Sequence, residues 1–234
     1  MRVHDIFTKF KIFSTTVPYL DRLNVKPKFS YSQEGEDMIL DELLANEQKG
    51  FYVDVGAYHP GRFSNTKYFY DRGWSGINIE PSPMALKVFE KARKRDINLN
   101  IGISESAGTL EFYTFAEAAL NTFQAERVKL LETTIPYRSN GKILVPVRLL
   151  KDVLSEFAKD RPIDFMNIDV ESHEMSVLRS NDWRKFRPAV LLVEILDFSL
   201  ETILKNPIHC FLTEMGYRFE CKTPRTCFYR DARL

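Results

Sequence analysis

The chain has 234 residues, 44% hydrophobic and 28% charged, enough apolar material for one sizeable core. Its 33 basic and 32 acidic residues leave a formal net charge of +1, so no global field draws it to nucleic acid or to a membrane surface. Three cysteines, Cys210, Cys221 and Cys227, form no C-x-x-C pair, which fits buried, reduced thiols in a cytoplasmic protein better than a disulfide framework or a zinc site.

Residues 1–28, opening "MRVHDIFTKFKIFSTTVPYL", lack the uninterrupted apolar run of a signal peptide or membrane span. They read as a basic, partly helical arm, a candidate contact for a second subunit in a homo-oligomer. Residues 29–234 form the main domain. "SQEGEDMILDELLANE" carries Met38, Ile39, Leu43 and Leu44 at helical spacing, with Ser32 placed to cap and acids in the first turn. "GFYVDVG" reads as a buried strand, "NTKYFYDRG" as a helix ended by Gly73, and "SGINIEP" as a second strand. An amphipathic helix "PMALKVFEKARKR", a third strand "INLNIGIS" and an extended "GTLEFYTF" follow.

Periodicity then fails over residues 116–141, which predicts a long surface excursion, and such loops are usually functional. The chain resumes with "KILVPVRLL", a helix "LLKDVLSEFAKD", a buried strand "IDFMNIDV", a helix near "SHEMSVLRS" and an apolar strand "PAVLLVEI". Strands alternating with helices imply right-handed crossovers and a mostly parallel, doubly wound α/β sheet. "YRFECKTPRTCFYR" closes it as an antiparallel hairpin.

In such a sheet ligands sit beyond the carboxyl ends of the strands, where Asp54, Gly56, Glu80, Asp169 and Glu194 fall. Glu80, 24 positions beyond Gly56, is placed to accept hydrogen bonds from both hydroxyls of an adenosine ribose. A dinucleotide turn needs G-x-G-x-x-G, whereas "DVGAYHPG" has Ala57 at the second glycine, so pyrophosphate is disfavoured. An aminoacyl sulfonium would instead accommodate Asp54 near its charged end. Taken alone, Asp54 and Gly56 read equally well as an ordinary strand-end turn; Glu80 and the terminal hairpin favour the ligand.

Four blocks, "YSQEGEDMIL", "FYVDVGAYHPGRFSNTKYFYDRGWSGINIEPSP", "VPVRLLKDVL" and "IDFMNIDVESHEMSVLRSNDW", resemble the FkbM-type S-adenosylmethionine-dependent methyltransferases. The resemblance implies a class I, Rossmann-like methyltransferase fold with a seven-stranded sheet, S-adenosylmethionine as cofactor and a hydroxyl as acceptor. Carried over, Asp54, Gly56 and Ala57 line the methionine end and Glu80 holds the ribose. Ser104 faces the adenine, while Asn65, Gln33 and Asp169 add polar contacts. The family often has glycine in "DVEGHE", where this chain has Ser172.

Methylating a hydroxyl requires removal of its proton, by a general base or by a divalent cation that acidifies it. His173, after the fourth strand of the main sheet, is the candidate base, with His59 a second choice; the plainer alternative is that His173 braces the following helix. Asp169, His173 and Glu194 form a candidate site for Mg²⁺ or Mn²⁺, set against a structural reading in which Asp169 binds backbone amides and Glu194 an arginine. Asn121, Arg127, Tyr137 and Arg138 make residues 116–141 a candidate lid over the acceptor, or an ordinary solvated loop. Tyr68, Phe69, Tyr70 and Trp74 surround a helix and are expected in the core.

The expected function is O-methylation of a saccharide or nucleotide-linked sugar in polysaccharide or natural-product assembly. A protein or other small-molecule acceptor, or a non-catalytic cofactor-binding module, are the alternatives. Nucleic acid is disfavoured for lack of a basic, aromatic stripe.

Overall fold

Strand β1 (Phe51–Val55) is buried at every position because it is hydrogen-bonded on both sides and covered on both faces. It pairs in parallel with β2 (Ser75–Ile79) and with β7 (Phe165–Ile168). In this computed structural model, which describes residues 28–45, 47–196 and 199–234, the main sheet has seven strands. Its order is β3 (Ile97–Leu99), β2, β1, β7, β8 (Val190–Glu194), β10 (Thr226–Asp231), β9 (Tyr217–Lys222). β10 runs antiparallel to both neighbours, so the terminal hairpin inserts its second strand beside β8. This is the mostly parallel, class I methyltransferase arrangement. Residues 1–27 of the N-terminal arm lie outside the described residues.

Alternation along the strands sorts side chains between two apolar layers. Phe51, Val53, Val55, Met166, Ile168, Leu191 and Val193 meet helices α5 (Leu150–Phe157) and α6 (Glu174–Arg179), Ile203 of the short α7 (Leu200–Ile203), and α8 (Pro207–Glu214) on one face. Tyr52, Phe165, Val190, Leu192 and Phe228 meet α1 (Glu36–Leu43), Phe69 of α2 (Lys67–Asp71) and Trp74 on the other. Of the expected core aromatics, Phe69 and Trp74 are fully buried, while Tyr68 and Tyr70 lie at its margin. Of the cysteines only Cys227 is buried; Cys210 is exposed on α8, so its burial was overestimated by composition alone.

Local signals explain most boundaries. Ser82 caps α3 (Pro83–Ala92) through its Oγ on the Ala85 amide at 3.4 Å, and Pro83 starts the first turn without losing a bond. Gly73, at φ +95°, ends the turn after α2. α1 starts later than expected, with a left-handed Gly35 at its N-cap, yet Ser32 Oγ still accepts from the Asp37 amide at 3.3 Å.

Two expectations fail. "INLNIGIS" is not one strand: the chain leaves the main sheet at Asn100, whose side chain donates to the Glu80 and Pro81 carbonyls, and enters a second sheet. That sheet is β4 (Gly102–Ile103), β6 (Ser139–Arg148) and β5 (Gly108–Phe115). Residues 116–141 are not a structureless loop either. They hold a 3₁₀ turn (Ala118–Leu120), helix α4 (Ala125–Thr134) and the start of β6. Val128 and Leu131 bury against Phe115, a stripe too short to stand out as periodicity.

Arg93 is fully buried at the end of α3 and holds the loop after β1. Its guanidinium donates to the Pro60 carbonyl at 2.9 and 3.1 Å, to Ser64 Oγ at 3.0 Å and to the Tyr52 hydroxyl at 3.0 Å, with Asp96 3.6 Å away. Removing one partner of a buried charged network leaves the others unpaired. Arg93→Met is therefore expected to cost about 3–5 kcal/mol in urea unfolding; a loss under about 1 kcal/mol would show that these contacts do not hold the loop.

Candidate functional site

A cavity of about 330 Å³ opens at the carboxyl ends of β1, β2, β7 and β8. That is the size of a small-molecule site and the place where a parallel sheet binds ligands. Asp54, Gly56, Glu80, Asp169 and Glu194, placed by their strand ends, all line it, as do Gln33, Ala57 and Asn65, which the family resemblance supplied.

Asp54 lies in register with Asn78 on β2 and Asn167 on β7, so the three side chains stand in one row on the same face. Its Oδ1 accepts from Asn167 Nδ2 at 2.9 Å and its Oδ2 from Thr66 Oγ1 at 3.1 Å. Asn167 in turn accepts from Asn65 Nδ2 at 3.0 Å. Burial raises the Asp54 pKa, and the Asn167 and Thr66 donors oppose that rise. Asn167, an amide inside an apolar strand, is a site residue that sequence reasoning missed.

Glu80 ends β2 with both oxygens anchored: Oε2 accepts from the Tyr58 amide at 2.8 Å and Oε1 from the Ser82 amide at 2.7 Å. Tyr58 reaches it by adopting a left-handed backbone, φ +54°. Burial pushes the Glu80 carboxyl up to about 7. Each oxygen keeps a lone pair for a further donor, which suits a vicinal diol.

Gly56, at φ +84°, lies against β7: an added Cβ would come within 1.7 Å of the Asp169 carbonyl oxygen. The glycine is needed for this close approach whatever the ligand. Beyond Asp169 the chain makes a tight turn in which both Glu171 (φ +51°) and Ser172 (φ +77°) are left-handed. Glu174 Oε1 secures this turn by accepting from the Val170 and Ser172 amides at 3.1 and 3.2 Å.

Carboxylate oxygens of Asp169, Glu174 and Glu194 come within 4.8 Å of one another. Burial raises all three, Asp169 well above the usual range, Glu174 to about 7 and Glu194 to about 11; neighbouring carboxylates add to the rise at Asp169 and Glu194, while the Val170 and Ser172 amides oppose it at Glu174. His173 is absent from this group and from the cavity wall, contrary to the expectation for both base and metal ligand. It is the buried N-cap residue of α6, packed on Phe123 with Nδ1 2.7 Å from Gln124 Nε2, and burial lowers its pKa. The helical bracing reading describes it better. His59 also turns inward to its loop, Nδ1 accepting from the Gly61 and Arg62 amides. Ser104, expected near the adenine, follows β4 in the second sheet and does not line the cavity, because the chain switches sheets at Asn100.

The roof comes from the excursion. Leu120, Asn121, Phe123 and Arg127 line the cavity, whereas Tyr137 and Arg138 do not. Thr122 Oγ1 donates to the Glu171 carbonyl at 2.7 Å, and Arg127 pairs with the Glu171 carboxylate at 2.9 Å. At the other end Glu117 takes Arg62 at 3.0 Å and the Tyr58 hydroxyl at 3.0 Å. Arg225, the remaining arginine of the wall, is paired with Glu34 at 2.6 Å.

The profile of the family described as the methyltransferase FkbM domain matches residues 54–219, from the row-forming Asp54 to β9. The chain belongs to this family. No curated protein matches it. Among solved structures it is similar to the precorrin-6y C5,15-methyltransferase of Geobacter metallireducens, at 11% identity over 82% of this chain and 85% of that one, with a TM-score of 0.43. It is also similar to the METTL16 MTase domain, at 12% identity, 83% and 65% coverage and a TM-score of 0.47. A third is the TehB-like SAM-dependent methyltransferase of Corynebacterium glutamicum, at 8% identity, 94% and 97% coverage and a TM-score of 0.42. The assignment rests on the family match.

An FkbM-domain protein is an S-adenosylmethionine-dependent methyltransferase, and the donor set of the cavity fits that cofactor. Glu80 offers acceptors for a ribose, and the Gln33 and Asn65 amides offer both donors and acceptors for an amino acid end.

Two outcomes follow from the geometry. A ligand whose hydroxyls donate to Glu80 favours its ionised form, which is lost as pH falls through about 7. S-Adenosylhomocysteine affinity, measured by calorimetry, is therefore expected to fall up to about tenfold from about pH 8 to about pH 6, and Glu80→Gln should bind more weakly with a flatter profile. An unchanged slope in the variant removes Glu80 from the ribose. Separately, Ser172 pays the left-handed penalty that glycine escapes, so Ser172→Gly should stabilise the protein by about 0.5–1 kcal/mol in thermal or urea melts; destabilisation would mean the side chain contributes something the backbone argument omits.

Proposed function

We propose that the protein transfers the methyl group of S-adenosylmethionine to a hydroxyl of a saccharide, as an O-methyltransferase of polysaccharide or natural-product assembly. The observation that carries this reading is the pairing of the cavity wall: its three arginines, Arg62, Arg127 and Arg225, are all engaged by glutamates, while Asp169 and Glu194 face the space without any protein donor among the described residues. A wall of unsatisfied acceptors seeks hydroxyl donors. A sugar supplies them, and Tyr58, Phe63, Phe112 and Phe123 give its apolar face something to rest on. A nucleotide-linked sugar fits less well, since no guanidinium on the wall is left for a diphosphate.

The cofactor supplies an activated methyl group, so the chain's own residues have to orient the acceptor oxygen and receive its proton. Asp169 is the proposed proton acceptor. It follows β7 beside Gly56, and burial raises its carboxyl toward the range in which a general base works. Glu194, at the end of the adjacent strand, is proposed to hold a second hydroxyl and fix the sugar's orientation.

Incubating the protein with labelled S-adenosylmethionine and a panel of free saccharides, nucleotide sugars, amines and proteins tests this. Methylated free saccharide is expected, with Asp169→Asn lowering kcat by about a hundredfold or more while S-adenosylhomocysteine still binds. Transfer only to nitrogen, or only to a macromolecule, would overturn the saccharide reading.

A further inference from the structure

Asp169 and Glu194 leave the ends of adjacent parallel strands, since Ile168 and Val193 are register partners. Like charges at neighbouring strand ends repel, and a fold gains nothing from placing them there unless something lies between. Glu174 joins them from the first turn of α6, with one oxygen already fixed by two backbone amides. The three ligand atoms lie within 4.8 Å of one another, the span across the coordination sphere of a hard divalent cation with oxygen ligands at about 2.0–2.6 Å.

A second observation points into the same space. Glu194 is 7% exposed and lines the cavity, and no hydrogen bond or ion pair reaches its carboxylate among the described residues. The neighbouring cation, Arg127, is turned to Glu171 instead. A buried carboxylate without a donor is costly, and the requirement is for positive charge or protons from outside the chain.

We propose that Asp169, Glu174 and Glu194 bind a hard divalent cation such as Mg²⁺ or Mn²⁺, with His173 outside the ligand set. An all-oxygen, trianionic set selects these ions over zinc or copper, which favour nitrogen and sulfur. Asp169 and Glu194 face the cavity, so the ion's remaining positions are open to water or to oxygens of a ligand. Holding the acceptor at those positions, with Asp169 and Glu194 then acting on its hydroxyls through the ion rather than as free carboxylates, rests on the saccharide reading; the ion site itself does not.

Mn²⁺ titration of the full chain, followed by loss of the free-ion paramagnetic resonance signal, tests the site without any acceptor. One Mn²⁺ per wild-type chain is expected, with affinity at least about tenfold weaker in Glu194→Gln and unchanged in His173→Ala. S-Adenosylhomocysteine binding by Glu194→Gln, read by calorimetry, shows that this variant is folded. No stoichiometric Mn²⁺ on the wild type would overturn the proposal, as would equal affinity in folded Glu194→Gln. One-for-one displacement of Mn²⁺ by S-adenosylhomocysteine would overturn it too, assigning the carboxylates to the cofactor's ammonium. A tenfold loss in His173→Ala would overturn the ligand set. Should Glu194→Gln fail to fold, Glu174→Gln carries the same expectation. A failed acceptor screen beside intact Mn²⁺ binding would sink only the saccharide reading.

Discussion

A carboxylate in the middle of a parallel sheet must be satisfied from within the fold, and at Asp54 that requirement organises everything around the cavity. Asn167 answers it from β7 and Thr66 from the loop after β1. Thr66 and Ser64 are in turn held by Arg93, which reaches them from the end of α3 at 3.3 and 3.0 Å. Each buried group left without a partner would cost about 1–3 kcal/mol, so the network is stable only when complete. Its completion fixes the loop that carries Tyr58 and Asn65, and through the Tyr58 amide it fixes Glu80. The Glu80 and Asn65 ends of the cavity are thus set by one buried carboxyl that a ligand need not touch.

Much of this was legible in the sequence, for a physical reason. Parallel strands buried on both faces leave a continuous apolar run, and the residue that ends the run is forced to the ligand edge; that is why Asp54, Glu80, Asp169 and Glu194 could be placed together from spacing alone. Asn167 carried the same kind of signal, a polar side chain inside "FMNI", but its meaning depends on strand order, which puts it beside Asp54 rather than beside a sequence neighbour. The failures share a cause. Ser104 and His173 were placed by counting from a strand end, and counting cannot see that the chain changes sheets at Asn100 or that two left-handed residues turn the backbone before α6. Helix α4 was hidden because only Val128 and Leu131 of its ten residues are buried.

The electrostatic character of the cavity is a consequence of pairing rather than of composition. A net charge of +1 says nothing about a wall on which every arginine is already bound to a glutamate. Away from bulk water such pairs are weakly screened, and the carboxyls left over are the polar groups the wall offers to a ligand. Neutral hydroxyl donors and cations are favoured there, and phosphates are not. Burial, and after it the neighbouring carboxylates, raises the proton affinity of Asp169 and Glu194.

The roof and the turn below it form a single mechanical unit. Glu171 and Ser172 occupy a backbone region that costs each of them stability, and such conformations persist only where surrounding contacts over-determine them. Here the contacts come from two directions. Glu174 ties the turn from α6, while Thr122, Gln124 and Arg127 of the excursion bind the Glu171 carbonyl, His173 and the Glu171 carboxylate. His173 therefore matters as the post to which the roof is fastened. Asp169 lies two residues before the first strained position and is held separately by β1, its amide donating to the Val55 carbonyl at 3.0 Å. The excursion that roofs the cavity thus fastens the same turn that follows the carboxylate proposed to receive the acceptor's proton.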